Sequence, residues 1–317
     1  MNKSQIKKYL KYLKVKKYFT MKVIKCELCN GKKTKEIRKK VSWSHGKFGI
    51  LPVHCCLNCG LIFQNRRFNK EFYKEFYKNA YRTITLKSLK PPKGLINDQK
   101  KRGILLYNFL KKLLPKKGSM LDVGCSTGMF LLPFLKNGWK CKGNDPVVSH
   151  IEYSKKYYKL DLEAIQSEDM ILKKNSLDLI IIMGSLEHAY DPNKVMKKCE
   201  NAIKKNGILL LEVNGDPLGY SKNYFNHNHH RYFFENTMEL MMRKYGWEPF
   251  LTTKFPITGP TRPNTQFCLG RYKGDKIKKN FKNLIKNGKR ETYLDLVYKF
   301  RYHDYVAKNI KYLNSFI

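Results

Sequence analysis

Four groups of side chains in this 317-residue chain have types and spacings suited to chemistry. Cys26-x-x-Cys29 and Cys56-x-x-Cys59 are close knuckles separated by a strand-forming insert, and thiolates so spaced can surround one zinc ion tetrahedrally. All four positions would be filled by protein, so such a metal holds fold and does not meet substrate. Cys55 is adjacent, but Cys56 keeps the two-residue spacing and the following Gly60. The second group is Asp122-Val123-Gly124-Cys125-Ser126-Thr127-Gly128, an apolar strand ending in Gly-x-x-x-Gly before a helix. That turn lets bare backbone approach a ligand at the carboxyl edge of an α/β sheet. Asp145 ends the next strand, 21 residues after Gly124, where a doubly wound sheet offers a carboxylate to ribose hydroxyls. The third group, Met183-Gly184-Ser185-Leu186-Glu187-His188, closes a later strand. The fourth holds three histidines, His227, His229 and His230, within Asn226 to Phe234. On an extended segment only His227 and His229 share a side, and no acid is adjacent. Imidazole titrates in the range of a general base, which suits these residues better than a second metal.

A sheet must hold these groups together. From Ser119 strands at 120–124, 139–144, 162–166, 177–183 and 208–213 alternate with helices at 129–137, 147–158 and 193–204. Such alternation means a parallel sheet with helices on both faces. A helix at 235–245 precedes strands at 249–257 and 266–272, a terminal hairpin that brings one antiparallel strand. The expected organisation is a basic extension at 1–20, a zinc ribbon at 21–66, a helical and aromatic linker and cap at 67–118, the nucleoside-binding domain at 119–273, and a basic helical extension at 274–317. The ribbon's first half includes a basic hairpin through 43–48. Aromatics at 72, 73, 76, 77 and 81 recur every four residues on one helical face, a packing stripe whose last member, Tyr81, can cap the ligand mouth.

Composition narrows the classes. The formal charge is +39, yet 53 of the 64 basic residues are lysine, spread through almost every segment. That describes a solvated lysine surface more than an arginine-rich nucleic-acid face. An acidic partner is the functional alternative: a nucleotide-linked phosphate, RNA or an anionic membrane face. No apolar run approaches the ~20 residues of a membrane span. Residues 1–20 lack the apolar core of a secretory signal, so a cytoplasmic protein is expected, with thiols reduced rather than paired.

The turn at 122–128 resembles motif I of the class I S-adenosylmethionine (SAM) methyltransferases, with Ser126 at the usual middle glycine. No Gly-x-x-x-x-Gly-Lys-Ser/Thr phosphate loop is present. The resemblance implies an α/β, Rossmann-like seven-stranded class I sheet with a small N-terminal zinc ribbon. It implies SAM contacts from Asp122, Gly124, Cys125, Ser126, Gly128, Asp145, Met183 and Ser185. Glu168 or Asp169 would face the adenine. Leu186-Glu187-His188 is similar to the signature after strand four in many small-molecule methyltransferases, which puts Glu187 and His188 in the pocket.

Ribbon, aromatic segment and catalytic domain together resemble the zinc-ribbon SAM methyltransferases of sugar and surface-polysaccharide pathways. Their deoxysugar C-methyltransferase branch carries His-Glu-His followed by Tyr-Phe; here the segment reads His227-Asn228-His229, then Tyr232-Phe233. An amide cannot act as a base. Removing one hydroxyl proton needs only His229 or His188, so the expectation is O-methylation of a sugar or nucleotide-sugar, ahead of N- or C-methylation. An RNA methyltransferase using ribbon and lysines is the alternative enzyme, and a non-catalytic zinc-ribbon binding module the alternative class. No motif specifies an oligomeric state.

Overall fold

A computed structural model of the chain describes residues 11, 20–38, 51–88, 90–214, 225, 227–254, 257, 259–260, 262 and 265–286. Most of the basic extension at 1–20, the segment 43–48, Asn226 and residues 287–317 of the C-terminal extension fall outside them.

In chain order the strands are β1 (Thr20–Lys22), β2 (Thr34–Arg38), β3 (Val53–Cys56), β4 (Ile62–Gln64), β5 (Arg66–Phe68), β6 (Ser119–Val123), β7 (Lys140–Asn144), β8 (Leu162–Glu163), β9 (Leu177–Met183), β10 (Ile203–Asn214), β11 (Arg231–Tyr232), β12 (Trp247–Thr253) and β13 (Thr265–Tyr272). Seven form one sheet in the order β12-β13-β10-β9-β6-β7-β8. Neighbours pair in parallel from β8 through β10, and β13 runs antiparallel to both β10 and β12. The expected α/β Rossmann-like seven-stranded sheet with its antiparallel terminal strand is therefore present. Strand order reverses between β6 and β9, and the crevice outside that switch point is where such sheets bind ligands.

Alternation along the central strands separates two cores. Ile180, Ile182, Leu209 and Leu211 pack under Val195, Met196, Met238 and Met241 of two helices, Pro192–Ala202 and Glu235–Lys244. Leu179, Ile181 and Leu210 face Leu106, Phe130, Phe134 and Ile151 on the other side. Burial on both faces is why β9 reads Leu-Asp-Leu-Ile-Ile-Ile-Met with scarcely a polar break. Helix Lys93–Leu110, which lies in the segment read from sequence as linker and cap, supplies part of that second core.

Several boundaries differ from the pattern-based expectation, β8 ending at Glu163 and β12 at Thr253 among them. The helix after Asp191-Pro192 starts where expected, with Asp191 Oδ1 accepting the Lys194 amide at 3.0 Å, but it ends at Ala202 and not at Lys204. Ser176 N donates to Ala202 O at 2.8 Å and Ile203 pairs with Leu177, so sheet partners capture the backbone before Asn206-Gly207 is reached. A register shift between Ile203 and Ile208 absorbs the difference.

The second sheet, in order β11-β4-β3-β2, joins distant sequence. Its first strand is Arg231–Tyr232 of the histidine segment, paired with Phe63 and Ile62 of the cysteine ribbon. Leu28, Leu61 and Phe63 of the ribbon belong to the core that covers β9 and β10. The ribbon is thus built onto the main sheet beside its carboxyl edge.

Candidate functional site

The ends of β6, β7, β8 and β9 enclose a cavity of about 480 Å³, within the ~300–1,000 Å³ usual for small-molecule sites. Gly124 turns the chain out of β6 at φ +73°, and a Cβ there would lie 2.4 Å from the Cβ of Ser185. Ser185 is itself anchored, its Oγ donating to Val123 O at 2.6 Å. No larger residue fits this crossing of two strand ends. Ser126, in place of the middle glycine, also takes a left-handed φ of +54°. That costs about 1–2 kcal/mol, and its hydroxyl is put to use by the Arg82 guanidinium at 3.1 Å and His150 Nδ1 at 3.2 Å.

Asp145 is held by two backbone amides, Ser126 N on Oδ2 and Val147 N on Oδ1, both at 2.9 Å. Burial raises its pKa, opposed by Arg82 and those amides. Asp122 also lines the cavity, fully buried, and neither of its carboxylate oxygens has a hydrogen-bond partner among the described residues. Burial, then Asp145 and Glu212, push its pKa well up. A buried acid without a partner at a cavity wall fits a cationic ligand, and SAM carries both an ammonium and a sulfonium. Cys125, Met183 and Ser185 line the same wall. Of the two candidates after β8, Glu168 lines the cavity and accepts the Asp191 amide at 3.0 Å, whereas Asp169 lies at the surface beside Lys194. Gly128 does not line the cavity; a Cβ there would meet Leu162 Cδ1 at 3.0 Å, so its place is in helix–strand packing.

The lining also includes His188, His229, Tyr77 and Tyr81. His188 Nδ1 lies 2.9 Å from Asn228 O and 3.1 Å from the Tyr77 hydroxyl, which itself donates to Asn228 O at 3.3 Å. A carbonyl can only accept, so Nδ1 carries the proton and Nε2 keeps its lone pair. The His229 ring stands edge-on to His188 at 4.5 Å. His227 does not share its side: residues 227 and 228 form a turn, which breaks strand alternation, and the His227 ring lies among Phe68, Phe72, Phe76 and Tyr73 away from the cavity. The acid missing from the histidines' sequence neighbourhood is close in space, because ligand-type atoms of Glu187, His188 and His229 lie within 4.8 Å of one another. Arg262, 4.0 Å from Glu187, gives that carboxylate a cation.

Tyr77, Arg82 and Arg262 were not singled out by motif. Tyr77 belongs to the aromatic stripe of helix Lys70–Asn79, whose Phe72, Tyr73 and Phe76 are buried. Arg82 follows Tyr81 and lies over its ring at 4.9 Å. Arg262 sits against Gly184, donating to its carbonyl at 3.2 Å from a turn marked in sequence only by glycine and proline.

Five histidines in and around the site, four buried and His188 half-buried, are each held neutral. Burial, helped by Arg82, lowers His150 to about 3; burial and Arg262 lower His229 to about 3. Burial drives His188, His227 and His230 well below the usual value. The folded values lie below the unfolded one, so the unfolded chain takes up protons first and stability falls as pH drops below about 6.5. At pH 5 each of His150 and His229 removes about 2 kcal/mol. Thermal melts at pH 7.5 and 5.0 should differ by on the order of 10 °C, with the acid sample melting first; equal melting temperatures would contradict the buried neutral imidazoles.

The four cysteines converge as their spacing predicts. Cys26 Sγ lies 3.6 Å from Cys59 Sγ, and Cys29 Sγ lies 3.5 Å from Cys56 Sγ. Zinc–sulfur bonds of about 2.3 Å put sulfurs about 3.8 Å apart in a tetrahedron, so the donor set fits zinc. Cys55 points to the other face of β3, its Sγ against Gly60 O, and burial pushes its thiol up to about 12.

Comparison with known proteins gives partial matches. Residues 98–251 match the family described as "Methyltransferase domain". Among curated proteins, the ubiquinone biosynthesis O-methyltransferase of Histophilus somni (strain 2336) is 31% identical over 104 residues, covering 30% of this chain and 44% of that protein. The protein of the same name from Pelagibacter ubique (strain HTCC1062) is 31% identical over 100 residues, covering 30% of this chain and 42% of that one. The chain thus spans less than half the length of these relatives. A solved SAM-dependent methyltransferase from Aquifex aeolicus superposes with a TM-score of 0.46 at 15% identity, covering 61% of this chain and 100% of that one.

Proposed function

We propose that this chain, whose residues 98–251 match the family described as a methyltransferase domain, transfers a methyl group from SAM to a hydroxyl oxygen of a small molecule. One observation carries the reading: a single strand-end pocket lined by both a buried, unpartnered carboxylate and a tautomer-fixed imidazole. SAM, when bound, supplies an electrophilic methyl group. Asp145 would hold its ribose hydroxyls, Glu168 its adenine, and Asp122 its cationic end. His188 Nε2 would take the acceptor hydroxyl's proton, with His229 beside it, and Tyr81 and Arg82 would cover the mouth. Catalysis comes mainly from holding the oxygen in line for attack while water is kept out.

The acceptor we favour is a sugar hydroxyl, free or nucleotide-linked, because Tyr77, Tyr81, His188, His229 and Arg262 make the acceptor wall polar and suited to a polyol. A second reading, a phenolic hydroxyl, is favoured by the name of the matched ubiquinone-biosynthesis relatives. Titration calorimetry should give micromolar binding of S-adenosylhomocysteine, weakened at least tenfold by Asp145→Ala; absence of binding by folded protein would remove the methyltransferase reading. Transfer of labelled methyl from SAM to nucleotide sugars, but not to dihydroxybenzoates, supports the sugar acceptor, and the reverse selects the phenol.

A further inference from the structure

We propose that Glu27 and Arg231 are positioning residues that hand the order of the four-cysteine centre to the turn bearing His188, so that the ribbon sets the acceptor side of the pocket and not merely the fold. This rests on the reading of His188 as the group that meets the acceptor.

The first knuckle encloses Glu27 between Cys26 and Cys29. Its carboxylate is buried against two guanidiniums: Arg231 Nε meets Oε2 at 2.8 Å, and Arg231 Nη2 and Arg67 Nη1 meet Oε1 at 3.0 and 2.7 Å. The Arg231 pair is a bidentate fork, a geometry lysine cannot reproduce. The remaining nitrogen, Arg231 Nη1, turns away from Glu27 and donates to Leu186 O at 2.6 Å and Ala189 O at 2.7 Å. Arg67 Nη1 continues the series on Tyr190 O at 3.3 Å. His230 N takes Glu187 O at 2.9 Å. The carbonyls on either side of His188 are therefore held by side chains and backbone anchored on one carboxylate and one ribbon-paired strand. Lys244 Nζ fastens the same knuckle from behind, on Glu27 O at 2.8 Å.

The other imidazole is tied to the ribbon too. Gln64 of β4 donates through Nε2 to His229 O at 2.6 Å and through its backbone amide to His230 O at 2.9 Å. By contrast Gly124, Asp145 and Glu168 sit at the ends of β6 to β8, and the contacts named for them reach no ribbon residue. The cofactor side thus touches this turn through Ser185 and Asp191, but none of its named contacts is to the ribbon itself. Arginine planes held on two edges transmit a displacement of the knuckle to the 186–190 backbone, because a bidentate fork fixes orientation as well as distance. A shift near 1 Å at a reacting group costs about 100-fold.

The test uses the full-length, metal-loaded protein and the variants Glu27→Gln and Arg231→Lys, with Arg243→Lys as a control away from the site. Four quantities are read: zinc per chain, S-adenosylhomocysteine affinity, the ¹⁵N signals of the His188 imidazole, and kcat against KM. Expected for both variants are one zinc per chain, cofactor affinity within threefold of wild type, a shifted or broadened His188 Nδ1–H signal, and kcat lower by about 10- to 100-fold. An unchanged His188 signal and kcat in both would overturn the proposal. So would a parallel loss of metal and cofactor binding in both, which would assign the two residues to folding alone. Failure of methyl transfer in the wild type would strike the proposed function, yet leave the His188 spectrum to decide the relay.

Discussion

His188→Ala should lower kcat for methyl transfer about 10²- to 10⁴-fold, with cofactor affinity changed less than about threefold. The expectation follows from tautomer and place. Asn228 O at 2.9 Å and the Tyr77 hydroxyl at 3.1 Å claim Nδ1, so Nε2 is left as the acceptor on a side chain that lines the cavity. Cofactor affinity survives because its groups sit on other strand ends. Burial first, then His229 and Arg262, keep His188 well below its ordinary pKa, so the base stays unprotonated at neutral pH. The pH profile of kcat should be flat through 6.5 and fall only at lower pH, since lowering a base's pKa extends its working range downward. His229→Ala tests the neighbour: a larger loss there than at His188 would make His229 the base. A profile centred on 6.5 would mean an exposed imidazole and sink the buried-base account.

Tyr77→Phe probes the same geometry more gently. It removes a hydroxyl shared between His188 Nδ1 and Asn228 O while leaving the carbonyl in place, so its effect should be far smaller than deleting the imidazole.

The proposed cofactor side of the cavity was legible in the chain because its positions are written in spacing. Gly124, Asp145 and the acids after β8 occupy strand ends, and strand ends follow from a period-two pattern broken by turns. The cysteine centre was legible for a similar reason, since two short knuckles determine their own local geometry. The acceptor half was not. Asn228 draws attention by its side chain, yet it is its backbone carbonyl that holds His188, and a main-chain atom leaves no mark on residue identity. His227 and His229 were paired by strand alternation, which a turn at 227–228 abolishes. Glu27 carries no motif of its own inside the knuckle, and its partner Arg231 is brought to it by β11 across 204 positions. Long-range pairing of a two-residue strand carries too little pattern to be read locally, and that strand decides which histidine faces the pocket.

With zinc held by the four cysteines as proposed, Cys56→Ser should abolish that binding and, with it, acceptor turnover, while cofactor binding persists. Four sulfurs lie close enough to share one ion, and losing one leaves an incomplete tetrahedron around a dication. Structural zinc contributes about 10–16 kcal/mol in isolated finger peptides; here the ribbon is also held by Leu28, Leu61 and Phe63 in the main core, so collapse is partial. What gives way first is what the ribbon holds directly: β4, the β11 strand paired with it, and the carbonyls of His229 and His230. The seven-stranded sheet keeps its own hydrogen bonds and both helical layers, so the pocket around Gly124 and Asp145 remains. The expected record is less than about 0.2 zinc per chain, a first unfolding step on the order of 10 °C below wild type, S-adenosylhomocysteine affinity within about fivefold, and turnover below about 1% of wild type. Stripping metal from the native protein with a strong chelator should reproduce that pattern, and readdition of zinc should reverse it. Full turnover from a metal-free protein would show that the ribbon needs no ion, and cofactor binding lost in step with zinc would show that the two halves of the pocket share one support.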